Sequence, residues 1–143
     1  MQPRAFTRLK INITKVEIIE KRGMDLSFVI VTGLLSKEKM LSTLTSFYSN
    51  HPTSSVLCDL SNATWCNMPD EHIFNTMARA HKHAKVRKGC KTAVVVRNNH
   101  NFETTEKFVA AASAVGYGPE IQIFREISTA SAWLEIPQLQ KIA

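Results

Sequence analysis

The sequence predicts one α/β domain, a five-stranded mixed β-sheet covered by about four helices in the order ββαβαβαβα. Short apolar runs at 26–32, 56–60, 92–96 and 121–124 read as strands, and those at 56–60 and 92–96 have the character of buried strands at the centre of a parallel sheet. Between them lie stretches with a single apolar stripe at helical spacing. After an opening hairpin the two kinds of segment alternate, which implies right-handed parallel crossovers.

Each element has its own warrant. Leu9, Ile11 and Ile13 alternate, then Val16 and Ile18 alternate with the opposite parity, so the first strand should bulge near Thr14 and Lys15. The turn at 21–25 is too short for a crossover, so the strand at 26–32 pairs antiparallel with the first. The loop at 33–36 ends that strand, and Ser36 caps a helix carrying Met40, Leu41, Leu44, Phe47 and Tyr48. Pro52 stops this helix, since a residue before proline avoids the helical region. Val56, Leu57, Cys58 and Leu60 then form the central strand. Past a polar turn, Asn67 should cap a second helix with Pro69 in its first turn. Its expected apolar face is Ile73, Phe74, Met77, Ala80, His81 and Ala84, with Gly89 as its stop. A third helix presents Thr105, Phe108, Val109, Ala112 and Val115, and 116–119 breaks it. Ile121, Ile123 and Phe124 make the last strand, and Ser128 caps a final helix holding Ala130, Trp133 and Leu134. Residues 1–8 read as a flexible basic arm and 9–143 as the single domain.

The 143 residues are 44% hydrophobic and 21% charged, an ordinary globular balance. No apolar run approaches the roughly 20 residues that span a bilayer, and no signal core follows the basic N-terminus. Cys58, Cys66 and Cys90 are irregularly spaced, which argues against a disulfide framework and for a cytoplasmic location. The net charge of +6 is concentrated in Arg79, Lys82, Lys85, Arg87, Lys88 and Lys91. Such a block attracts anionic partners or simply closes a helix at its negative end. It lacks interleaved aromatics, so nucleic acid is not an expected partner. His81 and His83 lie about 200° apart around a helix and cannot share an ion; no metal site is expected. Glycine patterns for phosphate or dinucleotides are missing, and no cofactor is expected.

Candidate site residues come from the loops at 33–36, 62–67 and 97–101. These follow the carboxyl ends of strands, where open α/β sheets bind ligands. Asn62, Asn67, Arg97, Asn98 and His100 would form a polar rim for a ligand or partner, with Trp65 and Met68 as apolar contacts. The competing reading is that asparagines only shape turns and caps. Cys66, His72, His100 and Asp59 supply the residue types of a cysteine-dependent hydrolase, but no nucleophile signature surrounds them. No catalytic set is assigned, and the chain is not read as an enzyme.

Asp59-Leu60-Ser61 after an apolar strand, a short polar loop, and a helix start at Asn67-Met68-Pro69 resemble the signature segment of STAS domains. These are the anti-sigma-factor-antagonist-like domains of the SpoIIAA-like fold, a fold also linked to lipid-binding Sec14-type domains. Ile121-Gln122-Ile123-Phe124-Arg125-Glu126, followed by Ala130 and Ala132-Trp133-Leu134, is similar to a small bacterial STAS/Sec14-like branch. The resemblance spans roughly residues 11 to 136. Anti-sigma-factor antagonists carry a phosphorylated serine at this junction, whereas Asn67-Met68-Pro69-Asp70 has no hydroxyl, so the phosphate switch does not carry over. The resemblance implies a non-catalytic regulatory or signalling domain acting through protein contacts or a small apolar or anionic ligand. A homodimer is expected through an edge strand or an apolar helix face such as Phe47 and Tyr48. The alternative is Sec14-like carriage of a lipid or other apolar ligand, which requires an elongated apolar cavity between helices and sheet.

Overall fold

A computed structural model describes residues 14–50 and 52–136. The arm at 1–8 and the expected strand residues Leu9, Ile11 and Ile13 lie outside the described residues. Strands β1 (Lys15–Lys21) and β2 (Leu26–Leu35) form the antiparallel hairpin. A 3-10 turn at Arg22–Met24 joins them, and Asp25 closes it in the left-handed region at φ 51°. Helix α1 (Lys37–Ser49), β3 (Ser55–Trp65), α2 (Asp70–Ala84), β4 (Lys91–Val95), α3 (Asn99–Val115), β5 (Glu120–Phe124) and α4 (Ile127–Trp133) follow. The sheet runs β1-β2-β3-β4-β5, with β2 to β5 mutually parallel and β3 in the middle. This is the five-stranded mixed sheet with four helices that the pattern predicts.

The two faces are covered unequally. Helices α1, α2 and α3 bury the larger core, which includes Val29, Val31, Leu60, Met77, Val94 and Phe108. On the opposite face α4 alone covers Leu57, Ala93 and Val95 with Ala130 and Leu134. Ser36 caps α1 by accepting from the Lys39 amide at 3.1 Å. Helix α3 ends at Gly116 in the left-handed region, where the Tyr117 amide closes back on the Ala112 carbonyl. Gly118 permits a close crossing: a Cβ there would fall 2.5 Å from the Ala84 carbonyl oxygen at the end of α2.

Several boundaries differ from expectation. Strand β2 continues through 33–35 and β3 through 62–65, both read from the sequence as loop. The cause is a β-bulge. Ile30 pairs with Asp59 but Thr32 pairs with Asn62, so β3 carries one extra residue opposite Val31. The insertion reverses parity, and Ala63 and Trp65 join Leu60 on the helix-covered face. Asp59 holds the bulge, its Oδ1 accepting from the Ser61 amide at 2.9 Å and the Ser61 hydroxyl at 2.5 Å. The Asp-Leu-Ser segment therefore has a local structural role.

Helix α2 begins after Pro69 with no side-chain cap, so Asn67 is not its cap. Helix α4 likewise begins after Glu126, two residues earlier than a Ser128 cap requires. Helix α2 ends at Ala84 and tightens into a 3-10 turn at Lys85–Arg87, short of Gly89. Phe74 is 46% exposed and leaves the expected apolar face, where Thr76 is buried instead with its hydroxyl donating to the His72 carbonyl. Phe47 and Tyr48 are buried, which removes them as a dimer surface.

The basic block is not one solvated patch. Arg87 is 2% exposed, donating through Nε to the Thr53 carbonyl (2.9 Å) and through Nη1 to Thr92 Oγ1 (2.6 Å). Its Nη2 donates to the Ser54 and Lys91 carbonyls at 2.8 and 2.7 Å. Among the described residues no carboxylate pairs with it. Lys91 lies over the Trp133 ring, 4.9 Å from its centroid.

Candidate functional site

The site forms where β3 outruns β4. Pairing between the two ends at Asp59 with Val95, yet β3 continues for six residues to Trp65. The first turn of α3 takes over the exposed edge. Asn101, 1% exposed, donates from Nδ2 to the Ala63 carbonyl at 2.7 Å and accepts the Trp65 amide on Oδ1 at 3.1 Å. His100 Nε2 sits 3.1 Å from the Trp65 carbonyl oxygen. One asparagine thus replaces a missing strand, satisfying backbone groups that would be costly to leave unpaired.

Trp65 is a core residue, 4% exposed, and not the apolar rim contact expected. Its indole stacks on Phe108 with centroids 4.5 Å apart and donates to Thr105 Oγ1 at 3.0 Å. Met68 is half-buried and packs on the same core. Asn98 caps α3, accepting the Asn101 amide at 2.7 Å. Asn62, Asn67, Arg97, Asn98 and His100 are all exposed, with Asn62 on the bulged strand in register with Thr32 rather than in a loop. No hydrogen bond joins the side chains of Asn62, Asn67 and Arg97 to one another among the described residues. The structure brings His100 to β3 and Asn98 to the start of α3, and leaves Asn62, Asn67 and Arg97 as surface groups.

Two residues of the site carry no local sequence signal. Asn101 is one. Arg125 is the other: its Nη1 donates to the Arg97 carbonyl at 2.9 Å, its Nη2 to Asn99 Oδ1 at 3.1 Å, and its guanidinium lies 4.4 Å from the Phe102 ring centroid. It pins the β4–α3 loop from the end of β5. Only the β4–β5 register would have pointed to it.

The residue types of the hydrolase reading are dispersed among other partners. Asp59 bonds Ser61, His72 Nδ1 lies 3.2 Å from Lys37 Nζ, and His100 meets the Trp65 backbone. Among the described residues no three His, Cys, Asp or Glu side chains converge as a metal would need, and no helix is long and apolar enough to cross a membrane.

Inside the larger core a cavity of about 130 Å³ lies between the helices and the sheet. Cys58 borders it, and burial pushes its thiol pKa up to about 12, so the sulfur is a neutral wall. At another side the Tyr48 and Tyr117 hydroxyls hydrogen-bond to each other, and burial raises both phenols above their ordinary value. These are the two tyrosines of the chain. A raised folded pKa stabilises the fold fully below the unfolded phenol value of about 10 and loses that stability as pH rises past it. Phenolate absorbance is therefore expected to stay flat through pH 10 and to appear for both rings together with cooperative unfolding. A gradual titration near pH 10 in protein that remains folded would contradict this pairing.

The sheet order, the bulged central strand and the three-helix face define a SpoIIAA-like, STAS-type fold. Solved structures share it, two of them as follows. One is an anti-sigma factor antagonist from Mycobacterium paratuberculosis, 12% identical with a TM-score of 0.57, the match covering 86% of this chain and 95% of that one. The other is an uncharacterized protein with a SpoIIAA-like fold from Shewanella loihica PV-4, 17% identical with a TM-score of 0.52, covering 85% and 93%. No family model matches the sequence, and no curated protein matches it.

Proposed function

We propose that the protein is a non-catalytic, cytoplasmic regulatory or signalling domain that docks a protein partner at the junction of β3 and α2. The observation that carries this reading is Phe74, an aromatic side chain left 46% exposed near the start of α2. Aromatic anchors dominate binding energy at protein interfaces when a polar surround excludes water. Half-buried Met68 supplies a second apolar surface at the junction, and Asn62, Asn67, Arg97, Asn98 and His100 supply polar groups on the rim. The name of the mycobacterial neighbour, an anti-sigma factor antagonist, favours a protein partner over a substrate. With no hydroxyl at 67–70, docking is not gated by phosphate at that junction.

The test uses a photo-crosslinking side chain at position 74 and, as control, at exposed Glu103 on α3. A discrete adduct is expected from position 74 and none from 103. An adduct of twice the chain mass would make the partner a second copy. Against the purified partner, Phe74→Ala should weaken affinity by at least tenfold while leaving the fold intact. Unchanged affinity in a folded Phe74→Ala protein would overturn the assignment.

A further inference from the structure

Beneath α1 the packing of helix layer against sheet leaves a space. The cavity of about 130 Å³ occupies the gap. Cys58, Leu60 and Val94 border it from the central strands, Phe108 from α3, and half-buried Met40 and Leu44 from α1.

Most of the polar groups nearby are engaged. Tyr48 and Tyr117 bond each other, and Thr105 Oγ1 accepts the Trp65 indole N–H. Arg87 is taken up by Thr53, Ser54, Lys91 and Thr92. A water molecule needs two to four polar partners to settle in an interior site, and these walls are almost wholly carbon and sulfur. An apolar cavity of roughly 150 Å³ stays dry and takes up benzene. We propose that the space beneath α1 is a binding site for a small, neutral, apolar molecule the size of one aromatic ring or a short branched hydrocarbon. An anion is disfavoured by walls almost wholly of carbon and sulfur, since the adjacent guanidinium is held by its own acceptors. The space is smaller than the roughly 300–1,000 Å³ of pockets that hold drug-sized ligands, which favours a small one. Met40, flexible and unbranched, suits a rim that must yield to let the ligand through.

This site is separate from the docking junction, and the two can fail independently. Methyl resonances of Leu60 and Val94 in the full chain are followed while benzene, and then xenon, is added. Saturable shifts and a rise in Tm are expected. Cys58→Leu fills the space from the sheet and Leu44→Phe from the rim, and either folded variant should weaken benzene binding by more than tenfold. Phe74→Ala should bind benzene as the unaltered protein does. No saturable shift with either probe overturns the proposal on the unaltered protein alone. Equal benzene binding in a folded, filled variant does so as well.

Discussion

Arg87→Ala is expected to cost about 3–5 kcal/mol of folding stability, the sum of a truncation cavity and orphaned acceptors. The guanidinium sits where the N-terminal ends of β3 and β4 meet the 3-10 turn after α2. Its removal strips the Thr53 carbonyl and Thr92 Oγ1 of a donor, though the Ser54 carbonyl keeps the Lys91 amide at 3.2 Å. An opposing effect must be weighed. Burial without a paired carboxylate disfavours the charged form, which is why the Arg87 pKa is lowered. Replacing a whole buried ion pair with apolar side chains of similar volume is often neutral, which shows how much desolvation costs a buried charge. Here the acceptors include backbone carbonyls of strand ends, which cannot be repacked away, so the hydrogen bonds outweigh the relief. Arg87→Met keeps most of the volume and should cost less, on the order of 1–3 kcal/mol. Urea unfolding at constant m-value measures both. A loss below about 1 kcal/mol for Arg87→Ala would show that the buried charge had been offsetting its own bonds.

The order of elements is legible because buried parallel strands announce themselves by composition alone. Val56, Leu57 and Ala93 to Val96 need no periodicity to be read as strand. The end of β3 is not legible in that way. Ser61, Asn62 and Thr64 look like a turn, yet a strand covered on one face needs apolar residues only at Ala63 and Trp65. The single-residue bulge that turns those two inward has no periodic signature. Arg87 is hidden for a related reason, since the carbonyls that bury it lie at 53 and 54, far along the chain. Phe74 lies three residues before Met77, its neighbour on the helical wheel, and looks apolar-facing, but the hydroxyl of Thr76 can satisfy itself on the preceding turn and so tolerates burial. Of the candidate site, the capping role of Asn98 follows from its place before a helix. The roles of Asn101 and Arg125 depend on partners from other strands and are visible only in three dimensions.

Asn101→Ala should lower stability by about 2–4 kcal/mol, because two buried backbone groups lose their partner at once. Neither the Trp65 amide nor the Ala63 carbonyl can turn to β4, whose pairing with β3 has already ended. The damage should be local as well as global. Trp65 leads through 66–69 into α2, so loosening it frees the segment that carries Met68 toward Phe74. Hydrogen exchange of the Trp65 amide is expected to accelerate far more than that of Leu57 in the same strand. Asn101→Asp sharpens the test. It keeps an acceptor for the Trp65 amide but sets a carboxylate against the Ala63 carbonyl, in a position 1% exposed in the native side chain. A buried carboxyl there is driven to hold its proton and donate it to that carbonyl. Its pKa is raised on folding, so the variant should approach native stability in acid and weaken as pH rises through the unfolded carboxylate value of about 4. If Trp65 exchange is unchanged in Asn101→Ala and Asn101→Asp shows no such pH dependence, the helix does not substitute for a strand at this edge.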